Sequence, residues 1–254
     1  MFAQERHDEI LLILKNMGKV VVKDLSLKFN VTEDCIRKDL KLLEGKNLLE
    51  RTYGGAVPMR KSAHEEKINL RKNSNLKLKS IIASKAFDLI EAGETIFLDI
   101  STTNILLARL IAESNKKITV ITNMLDIMVV LNEGTNCVKV ISPGGVLCKD
   151  LNGYTGSMTI ESISNYKITR SFIGSCGVNL MDKSITTFDV EDGNTKKAII
   201  KNTKTTYLVM DSSKFYFDGS YKFATLQNIN AIITEACPSK DISDLLNKID
   251  IALI

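Results

Sequence analysis

The stretch VTEDCIRKDLKLLEGKNLLERTYGGAV, residues Val31–Val57, has the pattern of an amphipathic helix that leads into a glycine turn. Thr32 is a suitable N-cap, because its hydroxyl can accept a hydrogen bond from a first-turn amide. Apolar residues recur on one face of this helix: Ile36, Leu40 and Leu43. Basic residues fall on the opposite side: Arg37, Lys38 and Lys41. The pattern predicts a helix over residues 33–44, capped by Gly45, with a cationic face.

A basic helix face is often no more than a solvated surface, so the flanking sequence decides what this helix does. Residues 5–17 and 23–29 have the apolar spacing of two further helices, joined by an extended bridge at 20–22. The second and third helices, linked by a tight turn, form a helix-turn-helix pattern. LLERTY, the turn Gly54-Gly55 and AVPMR predict a β-hairpin wing. We expect this unit to bind double-stranded DNA through Thr32, Arg37, Lys38, Lys41, Arg51 and Tyr53.

The charge distribution favours the same function. Residues 1–72 hold 15 Lys and Arg against 11 Asp and Glu, whereas the remaining residues hold 19 of each sign. The formal excess of +4 therefore lies in the first third of the chain, where an electrostatic footprint for nucleic acid is expected.

Composition excludes several other classes of protein. The 254 residues contain no apolar run of about 18 residues, and the charged start MFAQERHDEI has no secretory core, so we expect neither a membrane span nor export. Five scattered cysteines without a CxxC pair, and two histidines at 7 and 64, favour reduced thiols in a cytoplasmic protein. We predict no metal site and no cofactor.

The chain divides into a DNA-binding domain over residues 1–57, a charged linker over 58–75 that becomes helical near His64, and a larger domain over 76–254. Apolar strand patterns alternate with helical ones in that last part, which is typical of βαβ units. We therefore predict an α/β protein in which a winged helix-turn-helix precedes a Rossmann-like domain with a mostly parallel sheet.

In a parallel sheet the ligand lies beyond the carboxyl ends of the strands. Small polar residues and glycines follow five successive predicted strands, and hydroxyls at a helix N-terminus can cradle a phosphate. Each is weak evidence alone, but together they predict a pocket for a small phosphorylated ligand. These residues are Asp99, Ser101, Thr102 and Thr103; Thr122 and Asn123; Gly144 and Gly145; Gly174 and Gly177; and Asp211, Ser213 and Lys214.

The sequence resembles the DeoR family of bacterial transcriptional repressors over nearly its whole length. The resemblance is carried by ERHDEILLIL, by Val31–Val57, and by TN, GG and DSSKF in the expected order. The family usually reads Ser-x-x-Thr-Ile-Arg-Arg-Asp-Leu in the recognition helix and His before Gly-Gly-Ala. This chain departs from the pattern at Thr32, Cys35, Lys38 and Tyr53. Lys38 keeps the charge of the family's arginine but loses its bidentate geometry.

The resemblance implies a C-terminal domain similar to ribose-phosphate isomerases that binds a sugar-phosphate effector, in a homo-oligomer (dimer or tetramer) that binds an operator. DISTTN would match the isomerase phosphate loop, and Asp192 with Lys196 the family's Glu-x-x-x-Lys pair. We expect Lys196 and Lys214 near the ligand. GSCGVN lacks the carboxylates that the catalytic loop of the isomerases carries.

The resemblance therefore implies a regulator and not an enzyme. A sugar-phosphate isomerase with an accessory basic domain is the alternative, with Asp99 or Asp211 as its conceivable base. In a third interpretation the second domain serves dimerisation alone.

Overall fold

The computed structural model describes residues 2–17, 19–62, 68–134, 137–236 and 240–254. They divide into two compact units, one built from residues up to Lys61 with 237–248, the other from 62–236 with 249–254. Of the predicted linker over 58–75, residues 58–62 and 68–75 are described, and its expected helical start near His64 lies outside the described residues.

The helices are α1 (Ala3–Met17), α2 (Val22–Phe29), α3 (Glu33–Gly45), α4 (Ile68–Lys72), α5 (Leu76–Asp88), α6 (Thr102–Ala112), α7 (Leu125–Asn132), α8 (Ser157–Ser164), α9 (Val190–Lys201) and α10 (Lys240–Lys248). The strands are β1 (Val20–Val21), β2 (Leu49–Thr52), β3 (Gly55–Pro58), β4 (Lys61–Ser62), β5 (Thr95–Leu98), β6 (Ile118–Thr122), β7 (Val138–Ile141), β8 (Val146–Cys148), β9 (Gly153–Thr155), β10 (Ile168–Gly174), β11 (Gly177–Asn179), β12 (Ser184–Thr187), β13 (Thr203–Val209), β14 (Phe217–Asp218), β15 (Tyr221–Thr225), β16 (Ala231–Ile233) and β17 (Ala252–Leu253). Short 3₁₀ turns cover Ser212–Tyr216 and Leu226–Asn228.

In the N-terminal unit, α1, α2 and α3 enclose a core that includes Ile10, Leu25, Ile36 and Leu40, which are at most 3% exposed. Thr32 caps α3 as predicted, since its Oγ1 accepts a hydrogen bond from the amide of Cys35 at 3.3 Å. The predicted helix-turn-helix is thus present, and its third helix buries the apolar stripe that the sequence indicates.

The wing differs from the prediction by one residue. Thr52 lies opposite Gly55, so the turn is Tyr53-Gly54, with Gly54 at φ +82°, and not Gly54-Gly55. Gly55 already belongs to β3 and lies opposite Val21 of β1. A Cβ on Gly55 would lie 2.0 Å from the carbonyl oxygen of Val20. The first glycine therefore serves the turn, and the second allows β1 to approach the wing.

A buried ion pair joins α1 to α3, and the sequence analysis did not identify it. Arg6 donates from Nε to Asp39 Oδ2 at 2.6 Å and from Nη2 to Asp39 Oδ1 at 3.0 Å. His7 Nε2 lies 2.9 Å from Asp39 Oδ1. Burial raises the pKa of Asp39, but the hydrogen bonds from Arg6 and His7 outweigh it and hold the pKa below its ordinary value. This carboxylate fixes the recognition helix against the first helix.

We expect Asp39→Asn to destabilise the N-terminal unit by roughly 3–5 kcal/mol, because it leaves the Arg6 guanidinium buried without its counter-charge. The lowered pKa means that this stabilisation is present above the ordinary pKa of aspartate and is lost as the pH falls through the lowered value. Hydrogen–deuterium exchange of peptides from α3 in the full-length protein measures the loss. Asp34→Asn, at a side chain that is 80% exposed, is the control. Equal exchange in both variants would contradict the role given to Asp39.

The second unit is built on a parallel sheet, as predicted. Within the described residues its strand order is β17-β16-β13-β10-β5-β6-β7, and every recorded pairing between these strands is parallel. Buried residues of α5, α6 and α7 pack against alternate residues of the strands to form the main core: Ile82, Leu107, Ile127, Ile96, Leu98 and Phe172. The chain runs from β5 outward to β7, then returns to the other side of β5 with β10. The gap between β5 and β10 is therefore the topological switch point.

Several elements of the second unit have no counterpart in the predictions. They are the β8–β9 hairpin, α8, and an antiparallel sheet in the order β11-β12-β15. These short strands and the eight-residue helix lie between the predicted strands in the chain. The β8–β9 turn supplies Asp150 and Leu151 to the lining of a cleft, and β12 supplies Thr187.

Candidate functional site

The cationic residues predicted on α3 are exposed, but their surroundings differ. Arg37 donates to Asp34 Oδ1 and to Glu33 Oε2, each at 2.6 Å, so its charge is shared within the helix. Lys38 and Lys41 have no recorded ion pair among the described residues. Among the described residues, α3 therefore presents two ammonium groups without a recorded ion pair and one guanidinium that shares its charge with two carboxylates.

The wing lies beside this helix within the same unit. The backbone amide of Arg51 donates to Glu44 Oε1 at 3.0 Å, and its guanidinium lies 3.7 Å from Glu44 Oε2. Tyr53 is fully exposed at the tip of the turn. A half-exposed acid near the end of α3 thus connects the helix to the strand that carries Arg51.

In the second unit, the backbone at the switch point is fixed by side chains that follow β5. Asn104 Nδ2 donates to the carbonyl of Asp99 at 2.9 Å and to that of Phe172 at 2.8 Å, which ties the end of β5 to β10. The amide of Gly174 donates to Asp99 Oδ2 at 3.0 Å. A Cβ on Gly174 would lie 2.8 Å from Cβ of Ser101, so the glycine allows the two strand ends to meet.

A buried group of one lysine and two aspartates lies at this junction. Lys196 Nζ lies 2.5 Å from Asp99 Oδ2 and 3.0 Å from Asp192 Oδ1, and all three side chains are at most 4% exposed. Thr187 donates to Asp192 Oδ2 at 2.7 Å. Asp99 Oδ1 has no hydrogen-bond partner among the described residues. Two carboxylates against one ammonium leave a buried excess of negative charge.

The pKa values of this group follow from that excess. Burial raises the pKa of Asp99 to about 6, since desolvation and the charge of Asp192 outweigh the attraction of Lys196. Burial lowers the pKa of Lys196, but the two carboxylates overcome this effect and the pKa is raised. Lys196 is therefore a permanent cation, and Asp99 is the member of the group that can take up a proton.

Two clefts open beside this group, one of about 200 Å³ and one of about 340 Å³. They share four lining residues, Arg71, Ser175, Cys176 and Phe188, so we treat them as two lobes of one site. The acidic lobe is the smaller cleft, and the following charged residues line it besides Arg71: Asp150, Asp189, Asp192 and Lys196. The basic lobe is the larger cleft, with Lys79, Asp211 and Lys214 besides Arg71.

The structure brings several of the predicted effector residues to these lobes. Ser101, Thr102 and Thr103 line the basic lobe together with Asp211, Ser213 and Lys214, while Gly174 and Lys196 line the acidic lobe. Ser101 caps α6, accepting a hydrogen bond from the amide of Thr103 at 3.2 Å. Asp211 accepts hydrogen bonds from the amide and hydroxyl of Ser213. Asp99 lies beneath, fully buried, and reaches the site through Lys196.

Other predicted residues lie outside the lining of the lobes and bond to the backbone instead. Thr122 Oγ1 donates to the carbonyl of Leu98 at 2.7 Å, and Asn123 Nδ2 donates to that of Tyr154 at 2.9 Å. A Cβ on Gly145 would lie 2.3 Å from Thr159 Oγ1, and one on Gly177 would lie 1.9 Å from the carbonyl oxygen of Phe217. Gly144, at φ +66°, accepts a hydrogen bond from Thr159. These positions shape the walls through close backbone approach.

Some lining residues come from elements without a strand-end pattern, and the sequence did not indicate them. Arg71 belongs to α4, within the stretch predicted as a linker, and Lys79 belongs to α5. Cys176 was noted only as part of the loop GSCGVN; burial raises the pKa of its thiol. The basic density of residues 67–79 is a signal that could have pointed to Arg71 and Lys79.

Two structural features are absent from the described part of the chain. No helix there is both long enough and apolar enough to span a bilayer. No group of three His, Cys, Asp or Glu side chains there is placed to hold a metal ion.

A winged helix-turn-helix and a separate α/β unit with a charged cleft define a DNA-binding regulator that carries a sensor domain. Residues 6–61 match the DeoR-like helix-turn-helix domain, and residues 74–236 match the DeoR C terminal sensor domain. The chain belongs to the DeoR family of bacterial transcriptional repressors, which confirms the resemblance seen in the sequence.

Similar proteins span nearly the whole chain. The glycerol-3-phosphate regulon repressor of Escherichia coli is 31% identical over 243 residues, 95% of this chain and 94% of that protein. The lactose phosphotransferase system repressor of Staphylococcus epidermidis is 30% identical over 234 residues, 91% of each chain. Among solved structures, ribose 5-phosphate isomerase A of Methanocaldococcus jannaschii aligns with 56% of this chain and 55% of its own at 16% identity and a TM-score of 0.42.

We expect Asp99 to make stability depend on pH. Its pKa is raised from 3.8 to about 6 in the folded protein, so the stability it contributes is full below pH 3.8 and is lost as the pH rises through about 6. Relative to Asp99→Asn, which cannot titrate, the wild type should lose about 2 kcal/mol between pH 4 and pH 7. Urea unfolding of both proteins across this range measures the difference, and parallel stability curves would contradict it.

Proposed function

We propose that this protein is a cytoplasmic repressor of a carbohydrate-metabolism operon, that it binds operator DNA as a homodimer or higher oligomer, and that a phosphorylated sugar controls it. The observation that carries the proposal is the basic lobe, where hydroxyls at the start of α6 face Lys214 and Arg71 beyond the switch point of the sheet. The names of the two similar repressors, of the glycerol-3-phosphate regulon and of the lactose phosphotransferase system, support this class of effector.

For DNA binding, we assign base recognition to the first turns of α3 and phosphate binding to its flank and the wing. Residues near the N-terminus of a recognition helix reach base edges in the major groove. Arg37 is one turn into α3. We assign Lys38 and Lys41 of α3 and Arg51 of β2 to contacts with the DNA backbone. Thr32 and Tyr53 complete the surface at the helix start and the wing tip.

For the effector, the division of charge between the lobes indicates how a sugar phosphate would lie. A phosphate suits the basic lobe, where three cations face one carboxylate and where amides at the start of α6 favour an anion. Hydroxyl groups suit the acidic lobe, because Asp150, Asp189 and Asp192 supply acceptors and Lys196 supplies a donor. One elongated ligand can therefore span both lobes.

We also propose that the protein binds this ligand without converting it. Isomerisation of a sugar phosphate requires a base that reaches a carbon-bound proton. Asp99 is fully buried, lines neither lobe and is paired with Lys196, while Asp211 is engaged by Ser213. The isomerase alternative would need one of these acids to leave its partners.

We expect Arg37→Ala to weaken operator binding by about 1–3 kcal/mol and to relax the sequence preference at one base pair. Lys41→Ala should weaken binding to all sequences alike and reduce the slope of log K against log salt by about one unit. Fluorescence anisotropy with operator and random duplexes at several salt concentrations separates the two effects. Lys204→Ala, an exposed lysine of β13, is the control. Full operator affinity in the double variant of Arg37 and Lys41 would refute the assignment.

We expect the double variant Thr102→Ala, Lys214→Ala to bind operator normally and to lose its response to a panel of sugar phosphates, because both changes remove groups from the basic lobe. Operator binding with and without each compound measures the response. Lys167→Ala, exposed just before β10 at the opposite end of the sheet, should respond as the wild type does. A normal response in the double variant would show that the site is elsewhere.

The isomerase alternative has its own test, the exchange of ligand protons with deuterated solvent. Exchange that occurs in the wild type and is abolished by Asp211→Asn would support that alternative.

A further inference from the structure

Arg71 is the one charged residue among the four that line both lobes, and the strand-end pattern of the sequence does not account for it. It lies on α4 and is half-buried, yet its guanidinium has no recorded hydrogen bond or ion pair among the described residues. Guanidinium groups in partly enclosed positions are normally paired, because an unpaired charge loses solvation without compensation. A cation left in this state at a cleft is suited to an anion that arrives from solution.

Three interactions fix α4, the helix that carries Arg71, to the rest of the second unit, which is the sensor unit. The amide of Ile68 donates to the carbonyl of Asp150 at 3.3 Å, and Ile68 itself is 2% exposed. Lys72 Nζ lies 2.7 Å from Asp126 Oδ1. Lys79 donates to the carbonyl of Arg71 at 2.6 Å, so the backbone of Arg71 is fixed while its guanidinium stays available. These bonds hold the residue at the junction of the two lobes.

We infer that Arg71 binds the anionic group of the effector and is the residue that joins the basic lobe to the acidic one. The inference rests on the proposed function and deepens it, because it names an effector contact that is not among the residues predicted after the strands. Arg71 offers a planar fork that binds two phosphate oxygens at once, which Lys214 cannot do. Because α4 is the first helix of the sensor unit in the chain, this contact also places the bound anion on the segment that follows the DNA-binding unit in sequence.

The test compares Arg71→Gln with Arg71→Lys in the full-length protein, by calorimetric titration with inorganic phosphate and with a panel of sugar phosphates. We expect Arg71→Gln to weaken binding about ten- to a hundredfold, the worth of hydrogen bonds between charged groups, and Arg71→Lys to weaken it less. Lys77→Gln, an exposed lysine on α5 that lines neither lobe, is the matched control and should bind as the wild type does.

A second measurement separates ligand binding from a structural role. Because the guanidinium has no recorded partner among the described residues, Arg71→Gln should leave the melting temperature and the hydrogen exchange of α4 unchanged in the free protein. A lower melting temperature or a faster hydrogen exchange of α4 would overturn the inference and assign Arg71 to the stability of α4. Unchanged ligand affinity in Arg71→Gln, alongside weakened affinity in the Thr102 and Lys214 variant, would overturn it while leaving the proposed function intact. Failure of the wild type to bind any of the anions would overturn both.

Discussion

The sensor unit depends on one buried ionic group, Lys196 between Asp99 and Asp192. Burying three charges is costly unless opposite charges are paired and bond to their surroundings. Here Lys196 lies between the two carboxylates, and Gly174 and Thr187 donate further hydrogen bonds to them. Because the participants come from the residue after β5, from the end of β10, from β12 and from α9, the group forms only when the sheet and the helix are both in place. It therefore links the correct folding of the sheet to the correct shape of the site.

The topology of the sheet explains why this group lies where a ligand would bind. At the switch point between β5 and β10 the following loops diverge, which leaves a crevice at the carboxyl ends of the strands. Asn104 holds the two strands together beneath the crevice, and Gly174 lets the loop after β5 come close. The same constraint directs the start of α6 into the crevice, so the hydroxyls of Thr102 and Thr103 face the basic lobe with their helix amides.

The sequence predicted the fold class well, because periodicity is a local property. The stripe Ile36, Leu40 and Leu43 specifies the recognition helix, and alternating strand and helix patterns specify the parallel sheet. The strand-end rule was less selective. Thr122 and Asn123 obey it as fully as Thr102 does, yet both satisfy backbone groups and lie outside the lobes. A polar side chain after a strand has the same local sequence signal in either role, so tertiary structure decides between them.

Local sequence patterns could not predict the role of a residue when that role depends on partners distant in the sequence. In the sequence, Asp39 lies among the charged residues of α3, which suggests an exposed position. Its burial becomes evident only from the structure, in which α1 brings Arg6 and His7 to it. Arg71 lies in a stretch whose charge density resembles a linker. The two cases differ in a way that bears on function: Asp39 is fully paired within its unit, whereas the guanidinium of Arg71 is left without a recorded partner in the described structure. A buried charge that the fold satisfies stabilises the fold, and a half-buried charge that the fold leaves unsatisfied at a cleft is best explained by a ligand.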